Sequence, residues 1–354
     1  MHLHKPQQNN DPGLLSSRNV TITDVALEAG VSVTTISRYL NDRDPISQHT
    51  RQKIQDAMRR LGYRPNLVAR SLRARRTNLV ALVLPTLCDP YYAELLNELQ
   101  QVLTSRGMRS QIHNCCAEPE LIPGQPDPIV EAILASRADG VILGAPLSFL
   151  PGFPYKEVPL ITIAQPNKVE GIPNIKPDNT EAGLHAAHHF THTKVKRAIL
   201  LSPCGSANDP RRKGFNMGSH VSGLEIIDVE VDHTLPNLSQ VIHEQLDRVW
   251  AEAPFQGVFA TADFLATHAM TWAYANNIHL PDQLQLIGFD GSSASSSLLP
   301  QLSTFRQPFE QLSEIAVNVL LDMIEGHEPT EISQPCATFV PGKTTIPTDS
   351  EQPL

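Results

Sequence analysis

The stretch TITDVALEAGVSVTTISRYLN, residues 21–41, decides how the rest of the chain is read. Thr21 and Asp24 have the spacing of a capping box at a helix start. Ile22, Val25, Ala26 and Ala29 recur at helical spacing, which gives the first helix one apolar face. Gly30 supplies a tight turn, and Ser32 is placed to cap a second helix whose buried side is Ile36 and Leu40. The opposite side presents Val33, Thr34, Ser37, Arg38 and Asn41, short polar groups and one guanidinium suited to base edges and phosphates in a DNA major groove. An ordinary αα-hairpin in a core is the competing reading. Several independent signals within one short segment favour a helix-turn-helix.

The flanking sequence extends that reading. A third helix is predicted from a Ser47 cap to Leu61, with Thr50, Ile54, Ala57, Met58 and Leu61 on one face and Gly62 at its end. Pro65 breaks the chain, and residues 66–76 suit one more short helix, marginal by itself in water. Its Arg70, Arg73, Arg75 and Arg76 would repel one another unless phosphates were near, which reads as a hinge that orders on DNA. A solvated basic linker is the plainer alternative. The formal charge of the whole chain is −9, an argument against nucleic acid if averaged. It is not evenly spread: residues 1–76 carry +7 and the remainder −16. A basic head on an acidic body concentrates attraction for phosphate at one end.

Composition narrows the other classes. With 41% apolar residues a large core is attainable, and the length suits about two or three domains. The five cysteines, Cys88, Cys115, Cys116, Cys204 and Cys336, are odd in number and lack CxxC spacing. That pattern argues against a disulfide scaffold or structural zinc and suits a reducing cytosol. Residues 1–19 are polar and read as a disordered extension without a signal peptide. No apolar run approaches the length of a membrane span. The expectation is a soluble cytoplasmic protein with no membrane contact.

From Leu79 onward strand-like and helix-like stretches alternate. Leu79–Leu84 is a continuous apolar run suited to a strand buried on both faces. The pattern then predicts helix 91–107, strand 111–114, helix 129–137 and strands 140–144 and 160–164. A second series predicts helix 181–190, strands 198–202 and 226–231, helix 238–253, strand 257–260, helix 264–276 and strand 284–289. A last helix, 309–325, precedes a short strand near 338–340. Two such series imply an α-helical head on an α/β body of two doubly wound parallel-sheet subdomains. Ligands in such folds sit beyond the carboxyl ends of strands, and two such edges can face each other across a cleft.

The chain resembles the lactose-repressor/galactose-repressor family of bacterial transcription factors from about residue 20 to 345. The head carries the resemblance without gaps: TITDVA, AGVS, TISRYLN, then Arg51-x-Lys53-Ile54, Leu61-Gly-Tyr-x-Pro-Asn66 and Ala69-Arg-Ser-Leu72. The body keeps weaker marks in order: Asp89-Pro-Tyr-Tyr92, Arg211-x-x-Gly-Phe215, Val258-Phe-Ala-Thr-Ala-Asp263, Leu286-Ile-Gly-Phe-Asp290 and Thr304-Phe-Arg-Gln-Pro308. The resemblance implies a body like periplasmic sugar-binding proteins, and these boundaries: an extension at 1–19, a helix-turn-helix domain at 20–64, a hinge at 65–77 and a sensor and dimerisation domain at 78–345. Within the sensor, one subdomain takes 78–177 and 307–330, the other 178–306 and 331–345. Residues 346–354 are a tail without a heptad helix, which favours a dimer over a tethered tetramer.

The resemblance also implies roles. A homodimer reads two half-sites of a near-palindromic operator. Val33 and Thr34 set base preference, Arg38 also reaches the groove, and Ser37 and Asn41 share that face. Thr21, Thr23, Ser32, Ser47 and Thr50 sit at phosphates. Asn66 and Ala69 line a minor-groove hinge with Arg70 and Arg73, and Leu72 is the wedge between central base steps. A small effector, a carbohydrate, sits between the subdomains against Tyr91, Tyr92, Arg211, Asp263 and Asp290, with Asp89 and Gln307 beside them. Carboxylates, a guanidinium fork and an aromatic face suit a polyhydroxylated ligand. Plainer readings are that Asp290 and Arg211 only pair across the cleft and that Tyr91 only begins a core helix. No cofactor and no metal are implied. A co-repressor such as a nucleobase, nucleoside or sugar phosphate is the alternative effector, and a sugar-binding protein without regulatory role is the alternative class.

The chain departs from the family pattern at Ala262, where an asparagine is usual, in the Pro-rich stretch 118–128, and at 193–197, where a Gly-His pair is common. Three further constellations are weaker. Gly342-Lys-Thr-Thr345 resembles the end of a phosphate-binding loop, but Ala337 stands where the first glycine belongs. His185, His188, His189 and His192 offer i,i+4 pairs that can chelate a metal, yet without a nearby carboxylate or cysteine they read as a solvated histidine face. Gly291–Ser297 reads as a flexible loop beside the cleft, with no G-x-S-x-G nucleophile elbow.

Overall fold

The computed structural model describes residues 20–41, 46–63, 76–115, 127–145, 152–165, 169–206, 209–328 and 332–348. The extension 1–19, most of the hinge including Asn66, Ala69, Arg70, Leu72 and Arg73, most of the Pro-rich stretch and the end of the tail lie outside the described residues, as does the side chain of Asn41. The chain divides into two compact units, residues 1–75 and 76–354.

Among the described residues, the head is three helices. α1 (Ile22–Ala29) opens on the expected capping box: Thr21 N donates to Asp24 Oδ2 at 2.8 Å and Asp24 N to Thr21 Oγ1 at 3.4 Å. Gly30, at φ 65°, closes it with amide bonds to the Ala26 and Leu27 carbonyls. α2 (Val33–Asn41) is capped by Ser32, whose Oγ accepts from Thr35 N at 3.1 Å. α3 (Gln48–Leu61) starts at the Ser47 cap and stops at Gly62, φ 63°. Val25, Ala26, Ala29, Ile36, Ile54 and Ala57 form the buried centre, with Leu40, Met58 and Leu61 packed around it. Arg60 pairs with Glu28 at 3.1 Å, linking α3 to α1 at the surface.

The body holds two sheets. In the first, β1 (Leu79–Leu84), β2 (Arg109–Asn114), β3 (Gly140–Leu143), β4 (Leu160–Ile163) and β5 (Asn174–Ile175) run parallel in the order β2-β1-β3-β4-β5. Strand β1 shows why a continuous apolar run is needed. Val80 and Leu82 face a core built with α4 (Pro90–Ser105) and α11 (Phe309–Glu325). Ala81 and Val83 face the other side, under α5 (Pro128–Ser136).

The second sheet has the order β11-β10-β9-β8-β6-β7. Its strands are β6 (Arg197–Pro203), β7 (Glu225–Val231), β8 (Gly257–Ala260), β9 (Gln285–Asp290), β10 (Ser303–Arg306) and β11 (Thr338–Val340), with only β11 antiparallel to its neighbour. Helices α6 (Thr180–His192) and α7 (Pro210–Ser222) cover one face. Helices α8 (Leu238–Glu252) and α9 (Asp263–Ala275) cover the other. The chain passes between the halves after β5, after β10 and after α11, so each half contains non-contiguous sequence.

Four elements differ from the sequence expectation. α7 was not predicted, because two interior glycines (Gly214 and Gly218) lower its intrinsic helicity. Strands β5 and β10 are too short, and β10 too polar, to show a period. Residues 291–297 are not an open loop: they hold a short helix, α10 (Ser293–Ser296), capped by Ser292.

Candidate nucleic-acid interface and ligand cleft

In the head, the face of α2 turned away from the core carries the expected set. Val33 is 41% exposed, Thr34 and Arg38 are exposed, and Ser37 is half-buried. Thr21, Thr23, Ser32 and Ser47 are exposed at helix starts, with Thr50 half-buried beside Ser47. Helix starts present unpaired backbone N–H groups and favour anions. Arg51 lies with its Cζ 5.4 Å from the Tyr39 ring centroid, which holds another cation beside α2. The arrangement offers one readable helix face flanked by anion-favouring helix ends.

In the body, the cleft residues leave the carboxyl ends of strands, as ligand sites in open α/β sheets do. After β1, Asp89 caps α4 by accepting from Tyr91 N at 3.0 Å. Burial raises its carboxyl pKa, opposed by that amide and by His233, which faces it from beyond β7. Tyr91 lies against Phe309 at 5.4 Å and Tyr92 at 5.0 Å, so part of its ring belongs to the core of this half. Burial pushes the Tyr92 hydroxyl up to about 12, reinforced by Asp89 and Asp290.

After β6, Asp209 caps α7 and holds Arg211. Arg211 Nε donates to Asp209 Oδ1 and Oδ2 at 2.9 Å each, Nη2 to Oδ2 at 2.6 Å, and Nη1 to the Thr261 carbonyl at 2.6 Å. Its Cζ lies 5.0 Å from the Phe289 ring centroid. Burial alone would raise the Asp209 pKa, but the charge and hydrogen bonds of Arg211 bring it below the usual range. Asp290 is only a second, looser partner of Arg211, at 4.0 Å. Both residues rise from the second sheet, so this pair does not cross the cleft.

Asp290 ends β9 with φ 112°, a strained conformation for a non-glycine residue. Its carboxyl is buried, and burial raises its pKa well above 3.8; Arg211 opposes the shift while Asp263 and Asp89 add to it. Gln307, just past β10, donates from Nε2 to Asp290 Oδ1 at 3.4 Å. Gln307 Oε1 is buried without a hydrogen-bond partner, as is Thr261 Oγ1. Asp263 lies close enough to Asp290 to raise the latter's pKa. Thr304 Oγ1 donates to its Oδ1 at 2.6 Å and Ser292 N to its Oδ2 at 3.2 Å. These two bonds tie the turn after β9 to β10. Ala262 caps α9 without any side-chain hydrogen bond, the local consequence of the missing asparagine.

The structure thus gathers Asp89, Tyr91, Tyr92, Arg211, Asp290 and Gln307, with Asp263 next to Asp290 and bonded to Thr304 and Ser292. Sequence reasoning missed Asp209, Thr261 and His233. It also missed Glu94, whose carboxylate accepts from Ser293 N across the cleft. The Asp209-Pro210 pair is a helix-start signal that pointed to Asp209.

Comparison with known proteins places this geometry. The sucrose operon repressor of Streptococcus mutans is 31% identical over 321 residues, spanning 87% of this chain and 94% of that protein. The chain belongs to the lacI family of bacterial regulatory proteins. The model of that family matches residues 21–66, and a periplasmic binding protein-like domain matches residues 187–345. The ribose operon repressor of Bacillus subtilis is 29% identical over 92% of this chain and 98% of its own length. Among solved structures, the lac repressor dimer bound to operator and the anti-inducer ONPF superposes with a TM-score of 0.76. It is 21% identical and covers 93% of this chain and 100% of its own. As a lacI-family protein this chain is a DNA-binding transcriptional regulator, in a family of regulators rather than enzymes.

Two remaining motifs have structural explanations. In the segment resembling a phosphate loop, Lys343 N donates to the Gln301 carbonyl at 2.6 Å and Thr344 Oγ1 to the Leu286 carbonyl at 2.6 Å. It is spent on the sheet edge. Of the four α6 histidines, His185, His188 and His192 are exposed and His189 is buried. Among the described residues no group of three or more ligands is placed to hold a metal ion, and no helix is long and apolar enough to cross a membrane.

Proposed function

We propose that this lacI-family regulator is a homodimeric repressor whose operator affinity falls when a neutral polyhydroxylated effector, a carbohydrate, binds between the two halves of the body. The observation that carries the effector reading is the buried, unpartnered Gln307 Oε1 beside the strained Asp290. A buried acceptor left unmatched costs about 1–3 kcal/mol, and a ligand hydroxyl can supply the missing donor. Neutrality follows from the charges present. Among the described residues gathered there, the Arg211 guanidinium is already matched by Asp209, and beside it stand carboxyls, phenols, the Gln307 amide and the imidazole of His233. Among the described residues gathered there, a sugar phosphate would find no guanidinium left unmatched.

On DNA, Val33, Thr34 and Arg38 read bases with Ser37 and Asn41 beside them, while Thr21, Thr23, Ser32, Ser47 and Thr50 contact phosphates. Asn66, Ala69, Arg70, Leu72 and Arg73 form the minor-groove hinge, with Leu72 as the wedge. The protein works in the cytoplasm, where its operator is. Tyr91 and Tyr92 cover a sugar's C–H face, Asp89 and Asp290 accept hydroxyls, and Asp263 supports the turn that positions Asp290. The names of relatives agree with this class: sucrose and ribose operon repressors, and a solved CelR–cellobiose complex. The test is operator binding by fluorescence anisotropy during titration with sucrose, D-ribose and cellobiose, with glucose 6-phosphate as the charged comparison. A neutral sugar is expected to weaken operator binding; a response to the phosphate alone contradicts the reading.

A further inference from the structure

The short segment by which the linker enters the body is held unusually firmly. Asp139, in the turn between α5 and β3, accepts from Thr77 N at 2.9 Å and 3.0 Å through its two oxygens. It also accepts from Thr77 Oγ1 at 3.0 Å and from Asn78 N at 2.6 Å. Thr77 Oγ1 lies 2.8 Å from the Arg137 carbonyl as well. From the neighbouring strand, Arg109 Nη2 donates to the Thr77 carbonyl at 2.9 Å and Arg109 N to the Asn78 carbonyl at 2.7 Å. Arg76 Nη2 reaches the Ile324 carbonyl at the end of α11, at 2.9 Å.

All these groups lie at the amino ends of β1, β2 and β3, the edge of the first sheet opposite the ligand cleft. The sheet between the two edges is a packed parallel sheet, which transmits displacement instead of absorbing it. Three untethered residues would span up to about 10 Å, slack enough to absorb a subdomain displacement of several ångströms.

We infer that Asp139 is a positioning residue that clamps Thr77 and Asn78, so that the placement of the body's first half is passed to the linker and the DNA-reading head. It touches neither DNA nor effector. This inference rests on the proposed reading of the protein as a dimer that spans two half-sites. Without the clamp, each head keeps its own grip on DNA but loses the spacing that the body imposes.

The experiment compares full-length wild type, Asp139→Ala and Thr77→Val on the natural operator and on a variant with about two base pairs inserted between half-sites. Operators are first recovered by selection from genomic fragments. Wild type is expected to bind the natural spacing at least about tenfold more tightly, and Asp139→Ala less than about threefold, with non-specific affinity unchanged. Thr77→Val, which keeps the amide bonds and loses both hydroxyl contacts, falls between them and stands in if Asp139→Ala does not fold. Spacing discrimination retained in the variants overturns the clamp alone. A wild type that selects no two-half-site operator overturns the underlying reading as well.

Discussion

Gly183 on α6 and Gly214 on α7 meet backbone to backbone: a Cβ on Gly183 would lie 2.1 Å from the Arg211 carbonyl oxygen, and one on Gly214 would lie 1.9 Å from that of Thr180. Neither obstacle is a flexible side-chain end, so the helices must separate to accept even one methyl group. Gly214 is the glycine of the Arg211-x-x-Gly-Phe215 mark, and its place in that mark records a helix crossing. Gly183→Ala and Gly214→Ala are each expected to destabilise the body by about 1–3 kcal/mol or more, read by urea denaturation. Gly183→Ala should also blunt the effector response, because the atom it displaces is the Arg211 backbone.

The buried Asp290 carboxyl makes a pH prediction with a definite sign. Its pKa is raised well above 3.8 on folding, first by burial. Between the unfolded and folded values the native state holds a proton that the unfolded chain releases. Its contribution to stability is therefore full below the unfolded value and is lost as pH rises through the folded one. Asp290→Asn is neutral at every pH and removes this contribution. Melting temperatures followed from about pH 4 to about pH 8 should show a smaller loss for Asp290→Asn than for wild type, although Asp89 and Asp263 titrate in the same sense in both.

Lys194 occupies left-handed backbone at φ 66°, just past the end of α6. It lies in the segment where family members commonly carry a Gly-His pair. An L side chain there costs about 1–2 kcal/mol, partly offset because glycine gives the unfolded chain more freedom. Lys194→Gly is expected to raise stability by up to about 1 kcal/mol, measured by thermal and urea unfolding. No gain would mean that Lys194 makes a compensating contact.

Arg38 is exposed on the readable face of α2. Arg38→Ala should cost about 1–3 kcal/mol of operator affinity and leave the thermal melt of the body unchanged. Competition against bulk genomic DNA separates the two contact classes: a base contact loses specific binding selectively, whereas a phosphate contact weakens all sequences alike.

The head was legible because its information is local. Thr21, Ser32 and Ser47 act on the next few residues and Gly30 and Gly62 on the few before them, each as the sequence implied. Buried strands such as Leu79–Leu84 were legible for a similar reason, since burial on both faces demands an unbroken apolar run. Helix α7 was hidden because its glycines are chosen for close packing on α6, a tertiary demand that overrides propensity. The cleft was half legible. Its residues were found through the family marks, but spacing could not show that Arg211 is bound by Asp209 or that Asp263 is bonded to Thr304 and Ser292. Those outcomes depend on crossovers that bring residues 89, 211, 290 and 307 together.

The most direct measurement is operator affinity by fluorescence anisotropy, with and without saturating neutral sugar, for wild type and Asp290→Asn. The account predicts that sugar weakens operator binding by wild type at least about fivefold. Asp290→Asn should bind the operator as tightly as wild type and respond to the sugar weakly or not at all. Undiminished response in Asp290→Asn would contradict the assignment of the cleft. Operator binding by wild type that no neutral sugar alters would contradict the central claim that a carbohydrate in this cleft governs the head.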